Sequence, residues 1–171
     1  GGNMSRIEVI SSINAADIDF NIKGLYLAKT NQHHDITTLM QHKHPESKSN
    51  QHIKGILQED SSGVFQGKVV VSQDAQKTDA FQFNQNLLLS ENAEVNVKPE
   101  LEIYADDVKC SHGATTGELD EQMLFYLRSR GLNKEEAKKI LIEGFINELF
   151  DDVANKKLKK KLLFISKKIV Y

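Results

Sequence analysis

The run Ala93-Glu94-Val95-Asn96-Val97-Lys98-Pro99-Glu100-Leu101-Glu102-Ile103 holds the clearest indication of fold in this chain. Apolar and polar residues alternate through it, the period-two pattern of a half-buried strand, and Pro99 marks a corner between two short runs. An earlier segment repeats the arrangement: Ala16-Asp17-Ile18-Asp19-Phe20-Asn21 is followed by Gly24-Leu25-Tyr26-Leu27. A third, looser copy is Ser62-Gly63-Val64-Phe65-Gln66-Gly67-Lys68-Val69-Val70-Val71. Each copy reads as strand, corner, strand. Repeated units of this kind suit a β-solenoid, whose stacked coils bury a continuous interior that one coil could not bury alone. Sandwiches and jelly rolls also consist of short strands with turn punctuation, so periodicity alone leaves them open. The repeat favours the solenoid.

Working outward, Ile7 and Val9, then Ile18, Phe20 and Ile22, alternate in the same way. The period changes between residues 113 and 120. Beyond it, Leu119, Met123, Tyr126 and Leu127 predict one helical face that Gly131 is placed to stop. Asn133 with Glu136 predicts an N-terminal cap, followed by Ala137, Ile140, Leu141, Gly144, Phe145 and Leu149 at helical spacing. Seven lysines between Lys156 and Lys168 flank Leu158, Leu162, Leu163 and Ile165, which reads as a third, amphipathic helix. Such a helix can bind membranes or a partner, though a charge run is more often a solvated face beside a small core.

The 171 residues are 39% hydrophobic and 27% charged, near globular averages, which argues against wholesale disorder or a membrane-embedded body. The formal charge of -2 gives no global drive toward nucleic acid or anionic lipid. Charge is nevertheless uneven: residues 1–132 carry 12 basic and 18 acidic side chains, and residues 133–171 carry 10 basic and 6 acidic. The lysines form no stripe interleaved with stacking aromatics, so nucleic-acid binding is not expected. No apolar run approaches the ~20 residues that cross a bilayer, and no signal peptide is visible. With a single cysteine, Cys110, the chain has no internal disulfide, and a reducing, cytoplasmic home is expected. The opening Gly1-Gly2-Asn3-Met4 suits a piece of a longer protein or a short added leader.

Two groups of residues could carry chemistry. His33-His34-Asp35, His42-Lys43-His44-Pro45-Glu46 and His52 offer imidazole and carboxylate, both good ligands for divalent transition ions. Pro45 and its polar surroundings suggest a turn there, and a stand-alone metal-dependent enzyme using the His33 to His52 cluster is the alternative reading. The second group is Lys109-Cys110-Ser111-His112-Gly113, where the only thiol stands two residues from an imidazole. On an extended segment both point the same way, and together they can hold iron or zinc, or the histidine can activate the thiol. Two ligands are too few for a stable site, so further groups would have to come from elsewhere, such as another chain. Phosphate-binding loops, nucleophile elbows and dinucleotide fingerprints are all missing from the sequence.

The run from Lys98 through Cys110-Ser111-His112-Gly113-Ala114-Thr115 resembles the SufB/SufD family of iron-sulfur cluster assembly proteins, closest to the C-terminal part of its SufD branch. The likeness extends back through Phe65-Gln66-Gly67-Lys68, Gln76-Lys77-Thr78-Asp79-Ala80 and Leu87-Leu88-Leu89-Ser90, and forward through Phe125-Tyr126-Leu127-Arg128-Ser129-Arg130-Gly131. It covers most of residues 3 to 153; the lysine-rich segment after Asn155 departs from it. The resemblance implies a mainly β protein with a C-terminal α region. Its parts are a right-handed parallel β-helix over 1–113, the later part of a longer subunit, and a small helical domain over 114–171. It further implies a non-enzymatic scaffold that pairs with SufB through the β-helix and binds the ATPase SufC through helices containing Phe125 to Arg130 and Ala137 to Phe150. His112 becomes the expected contributor to the cluster site, with Cys110 beside it. No cofactor is expected to bind the isolated chain tightly; a nascent iron-sulfur cluster would be held transiently in the complex. An uncapped first coil would expose strand edges, from which a homodimer of the fragment could form.

Overall fold

In the computed structural model, which describes residues 2–170, eight strands precede three helices. The strands are β1 (Met4–Ile13), β2 (Asp19–Ala28), β3 (His33–His42), β4 (Lys48–Leu57), β5 (Ser62–Val71), β6 (Asp79–Leu88), β7 (Glu94–Ile103) and β8 (Lys109–Gly117). The helices are α1 (Glu121–Ser129), α2 (Lys134–Leu149) and α3 (Lys156–Val170). Odd strands form one sheet in the order β1-β3-β5-β7 and even strands another in the order β2-β4-β6-β8. Every pairing is parallel. Each odd strand and the even strand after it therefore make one coil of a β-solenoid, the mainly-β architecture with helices at its end that the sequence predicts. In the odd sheet Met4 lies beside His33, His33 beside Ser62 and Ser62 beside Glu94, so a coil takes 29 to 32 residues.

The repeating unit is larger than the sequence copies suggest. Gly24, Gly67 and Pro99, read as corners, all lie inside ten-residue strands. Pro99 is tolerated because β7 ends its sheet, where a missing N–H costs no internal ladder bond. Gly67 is a packing requirement, since a Cβ there would fall 2.5 Å from Gln82 Nε2. The true corners turn on residues in the left-handed region: Asp17, Thr30, Glu46, Glu59 and Lys77, with φ between 55 and 60°. Polar side chains bonded to the backbone help to hold them. Ser47 Oγ accepts the Ile18 N–H at 3.2 Å, and Ser61 Oγ accepts the Gln58 N–H at 3.0 Å.

Alternation sends every second side chain inward. Two apolar clusters fill the lumen. One contains Ile13, Met40, Val69, Val71 and Ala80; the other contains Ile36, Ile53, Leu57 and Phe65. Between them in the strand register sit Thr38 and Gly67 on one wall and Gln51 and Gln82 on the other. The interior thus has a polar stripe between two greasy corners.

A third cluster fastens the helices to the outer face of the even sheet: Ile56 and Leu87 meet Ile142, Ile146, Leu149, Phe150 and Val170. The predicted cap of α2 is present, with Asn133 Oδ1 accepting the Glu136 N–H and Glu136 Oε2 accepting the Asn133 N–H, both at 2.9 Å. The buried faces follow the expected ones in part: Ala137 and Leu149 are buried, and Leu119 and Phe145 pack against the third cluster, but other positions differ. In α2, Ile142 and Ile146 are buried while Ile140 is exposed; in α1, Leu124 is buried while Met123 and Tyr126 are exposed. α2 is apolar on more than one side, so the sheet selects which side is covered. Lys54 on β4 reinforces the choice. Its side chain is 0% exposed, and Nζ donates to the Phe145 carbonyl at 2.9 Å and to Glu148 Oε2 at 2.8 Å. Nζ also lies 4.2 Å from the centre of the Phe145 ring. Since α2 has no basic residue in its last turn, Lys54 supplies from the sheet the cation that a helix C-terminus favours.

Lys54→Ala removes a buried stem together with its bonds to the Phe145 carbonyl and to Glu148; denaturant titration is expected to show a loss of about 2–4 kcal/mol. A loss below about 0.5 kcal/mol would mean that the clasp contributes little. A second expectation concerns pH. Burial lowers the pKa of His34, His42 and His52 below the usual imidazole value. Each is raised again to about 6.5 on unfolding, so the unfolded chain binds more protons as pH falls below that value. The denaturation midpoint should therefore fall between about pH 7 and pH 5, less steeply in His42→Gln; a flat profile would contradict the assignment.

Candidate functional site

The solenoid ends at β7 and β8, each the last strand of its sheet. Their outer edges carry backbone groups with no neighbouring strand, and their inward residues have no coil above them. On β8 the register places Cys110 over Ala80, His112 over Gln82, Ala114 over Asn84 and Thr116 over Asn86. Since Ala80, Gln82, Asn84 and Asn86 are buried in the lumen, Cys110 and His112 stand at the rim of its open end. They occupy alternate positions on one side of the strand, about 7 Å apart along it.

The two differ in surroundings. His112 is exposed, and its ring makes no hydrogen bond or ion pair among the described residues. Cys110 is half-buried and leans on the first apolar cluster beside Leu101 and Val108. Burial raises the thiol pKa, Asp79 adds to the effect, and a backbone contact with Ala80 opposes it. A thiol held protonated is a poor nucleophile, so Cys110 is better suited to ligation, where a metal ion displaces the proton, than to covalent catalysis. His112 offers an unobstructed imidazole. The pair supplies two donors, and completing a metal's coordination sphere would need groups from another molecule.

The other histidines are scattered. His33 exchanges a hydrogen bond with Ser62 Oγ at 2.7 Å, and His34 with Ser5 Oγ. His42 lies in the lumen, bonded to Ser49 Oγ at 2.8 Å, while His44 is exposed in a corner. His52 projects from the outer face of β4 to Gln85 Oε1 at 2.8 Å. Among the described residues no three histidine, cysteine, aspartate or glutamate side chains converge where a metal could sit. The metal-enzyme alternative therefore loses its cluster: coil geometry sends His42 inward and His52 outward, and the corner separates both from His44.

Sequence reasoning missed Lys54 and the buried amides Gln51 and Gln82. A polar residue at a strand position of inward parity is the signal for the latter, but that parity is known only once the true corners are known. The raised thiol pKa gives a direct check. Cys110 should react with iodoacetamide at neutral pH more slowly than a free cysteine. A rate equal to that of a free thiol would place Cys110 in a different environment.

Comparison with known proteins follows the same lines. Residues 1–145 match the family model described as "SUF system FeS cluster assembly, SufBD core domain". The iron-sulfur cluster assembly protein SufD of Escherichia coli (strain K12) is 40% identical over 163 residues, 95% of this chain and 38% of that protein. An iron-sulfur cluster assembly SufBD family protein of Synechocystis is 50% identical over 119 residues, 70% of this chain and 26% of its own length. A SufBD family protein of Mycobacterium leprae is 34% identical over 171 residues, 95% of this chain and 44% of its own length. The chain spans less than half of each of these relatives.

Proposed function

We propose a scaffold role for this chain, which belongs to the SufBD family of iron-sulfur cluster assembly proteins. In this reading the chain works as part of a SufD-like subunit in the cytoplasm. Its last coil meets SufB, and His112, with Cys110 as a secondary ligand, contributes to a cluster assembled between the two subunits. The iron and sulfide are cargo. The observation that carries the reading is the placement of His112: a bare imidazole on the rim of an open solenoid end. Two unpaired strand edges and the partly exposed Leu101 and Ile103 surround it and call for a cover.

The helical region suits the second contact. α1 turns Met123, Phe125 and Tyr126 to solvent beside Arg128, an apolar surface with a basic margin that no element of the described chain covers. SufC is the proposed occupant. The hydrophobic anchorage of α2 to the even sheet and the Lys54 clasp would then carry movement of the ATPase into the solenoid.

The chemistry within this chain is limited to holding and positioning. In the full-length subunit, His112→Ala should reduce cluster assembly at least about tenfold while changing thermal stability little, because the residue is exposed at the rim and lies outside the apolar clusters. Normal assembly by that variant would remove His112 from the site. For the docking surface, Phe125→Asp with Tyr126→Asp should abolish capture of SufC; undiminished capture would mean that the dock lies elsewhere.

A further inference from the structure

Beneath His112 the lumen holds side chains with unused hydrogen-bonding capacity. Ile22, Gln51, Gln82 and His112 occupy the same inward position on four successive coils. Gln51 and Gln82 are fully buried, yet neither the amide nitrogen nor the amide oxygen of either has a partner among the described residues. Their neighbours differ. Asn84 donates to the Ile53 carbonyl at 3.1 Å, Asn86 donates to Asn84 Oδ1 at 2.6 Å, and Asn86 Oδ1 accepts the Tyr26 hydroxyl at 2.6 Å. The spare capacity of this wall is therefore confined to the glutamine column that leads to His112.

Gly67 explains where the Gln82 amide lies. A Cβ at Gly67 would meet Gln82 Nε2 at 2.5 Å and both Cδ and Oε1 at 2.7 Å, so only glycine lets the amide cross the lumen in that layer. One coil further on, the positions of Gly67 and Gln82 are taken by Pro99 and His112. Adjacent strands are about 4.8 Å apart, so the Gln82 side chain lies one coil below that of His112 in the same inward column. Its terminal torsion is broad, so it can turn toward the ring at little cost.

We propose that Gln82 is a positioning residue for His112. Its side-chain carbonyl accepts the N–H of the ring nitrogen that faces the lumen, fixing one tautomer and leaving the lone pair of the other nitrogen aimed at the open rim. Histidines that bind metals commonly donate their second N–H to such a partner, which orients the ring and raises its basicity as a ligand. The inference rests on the proposed role of His112 and adds to it the residue that aims the ring.

Nitrogen-15 NMR of the histidine-labelled chain, with the His112 signals identified through His112→Ala, reads the tautomer with no cluster and no partner present. The expected result is one dominant tautomer in the unaltered chain, an ordinary mixture in Gln82→Leu, and restoration of the single form in Gln82→Glu, which keeps an acceptor oxygen. Should leucine disturb the coil, Gln82→Met preserves length and shape and makes the same comparison. An unchanged tautomer ratio in folded Gln82→Leu or Gln82→Met would overturn the proposal. Because this readout needs no assembly, its failure is distinct from normal cluster formation by His112→Ala, which would instead remove the rim from the reaction.

Discussion

Parallel stacking in constant register governs this molecule. Once β1 pairs with β3 and β2 with β4, each inward position is inherited by the coil above, and a slip of one residue would turn every core side chain to solvent. The inheritance places Cys110 and His112 at the rim without any local motif to hold them. They continue columns that begin at Phe20 and Ile22, with Ser49 and Ala80 in the first and Gln51 and Gln82 in the second. The corners make the register possible. Left-handed residues at Asp17, Glu46 and Lys77 recur in three successive coils, and the backbone strain at each is offset by the ladders it allows to close.

The interior combines two kinds of packing with different consequences. The apolar clusters stabilise the coils and are indifferent to direction. The stripe between them is directional, because amides and hydroxyls in a low-dielectric lumen require specific partners. Tyr26, Asn84 and Asn86 form a bonded group, whereas Thr38, Gln51 and Gln82 do not. Outside, the same even sheet carries the helices on Ile56 and Leu87, with Lys54 buried against α2. One sheet therefore serves both the rim and the helical region, and displacement of α2 would be felt by strands β4 and β6, the second of which pairs with β8.

Much of this was legible in the sequence. Alternation in β7 and the change to helical spacing after Gly113 gave the solenoid and the helices, and the run around Cys110 and His112 carried the family likeness. The coil boundaries were not legible, because Gly67 and Pro99 look like turn residues but answer to a crowded lumen and a sheet edge. The helix faces were only partly legible for a related reason. Ile140, Ile142, Phe145 and Ile146 offer α2 several apolar sides, and only the shape of the sheet decides among them. Lys54 was hidden because a lysine on a strand is ordinarily solvated, and its burial depends on a helix some 90 residues later in the chain.

The proposed scaffold role draws on what this end of the solenoid presents. Two donors, one an exposed imidazole and the other a thiol kept protonated by burial, cannot satisfy a metal without a second molecule. The open edges of β7 and β8 are where that molecule would sit. Amide hydrogen exchange on the full-length subunit, with and without SufB, tests this most directly. The account predicts protection concentrated in Glu94–Ile103 and Lys109–Gly117 when SufB is added; unchanged exchange there, with protection elsewhere on the chain, would contradict it.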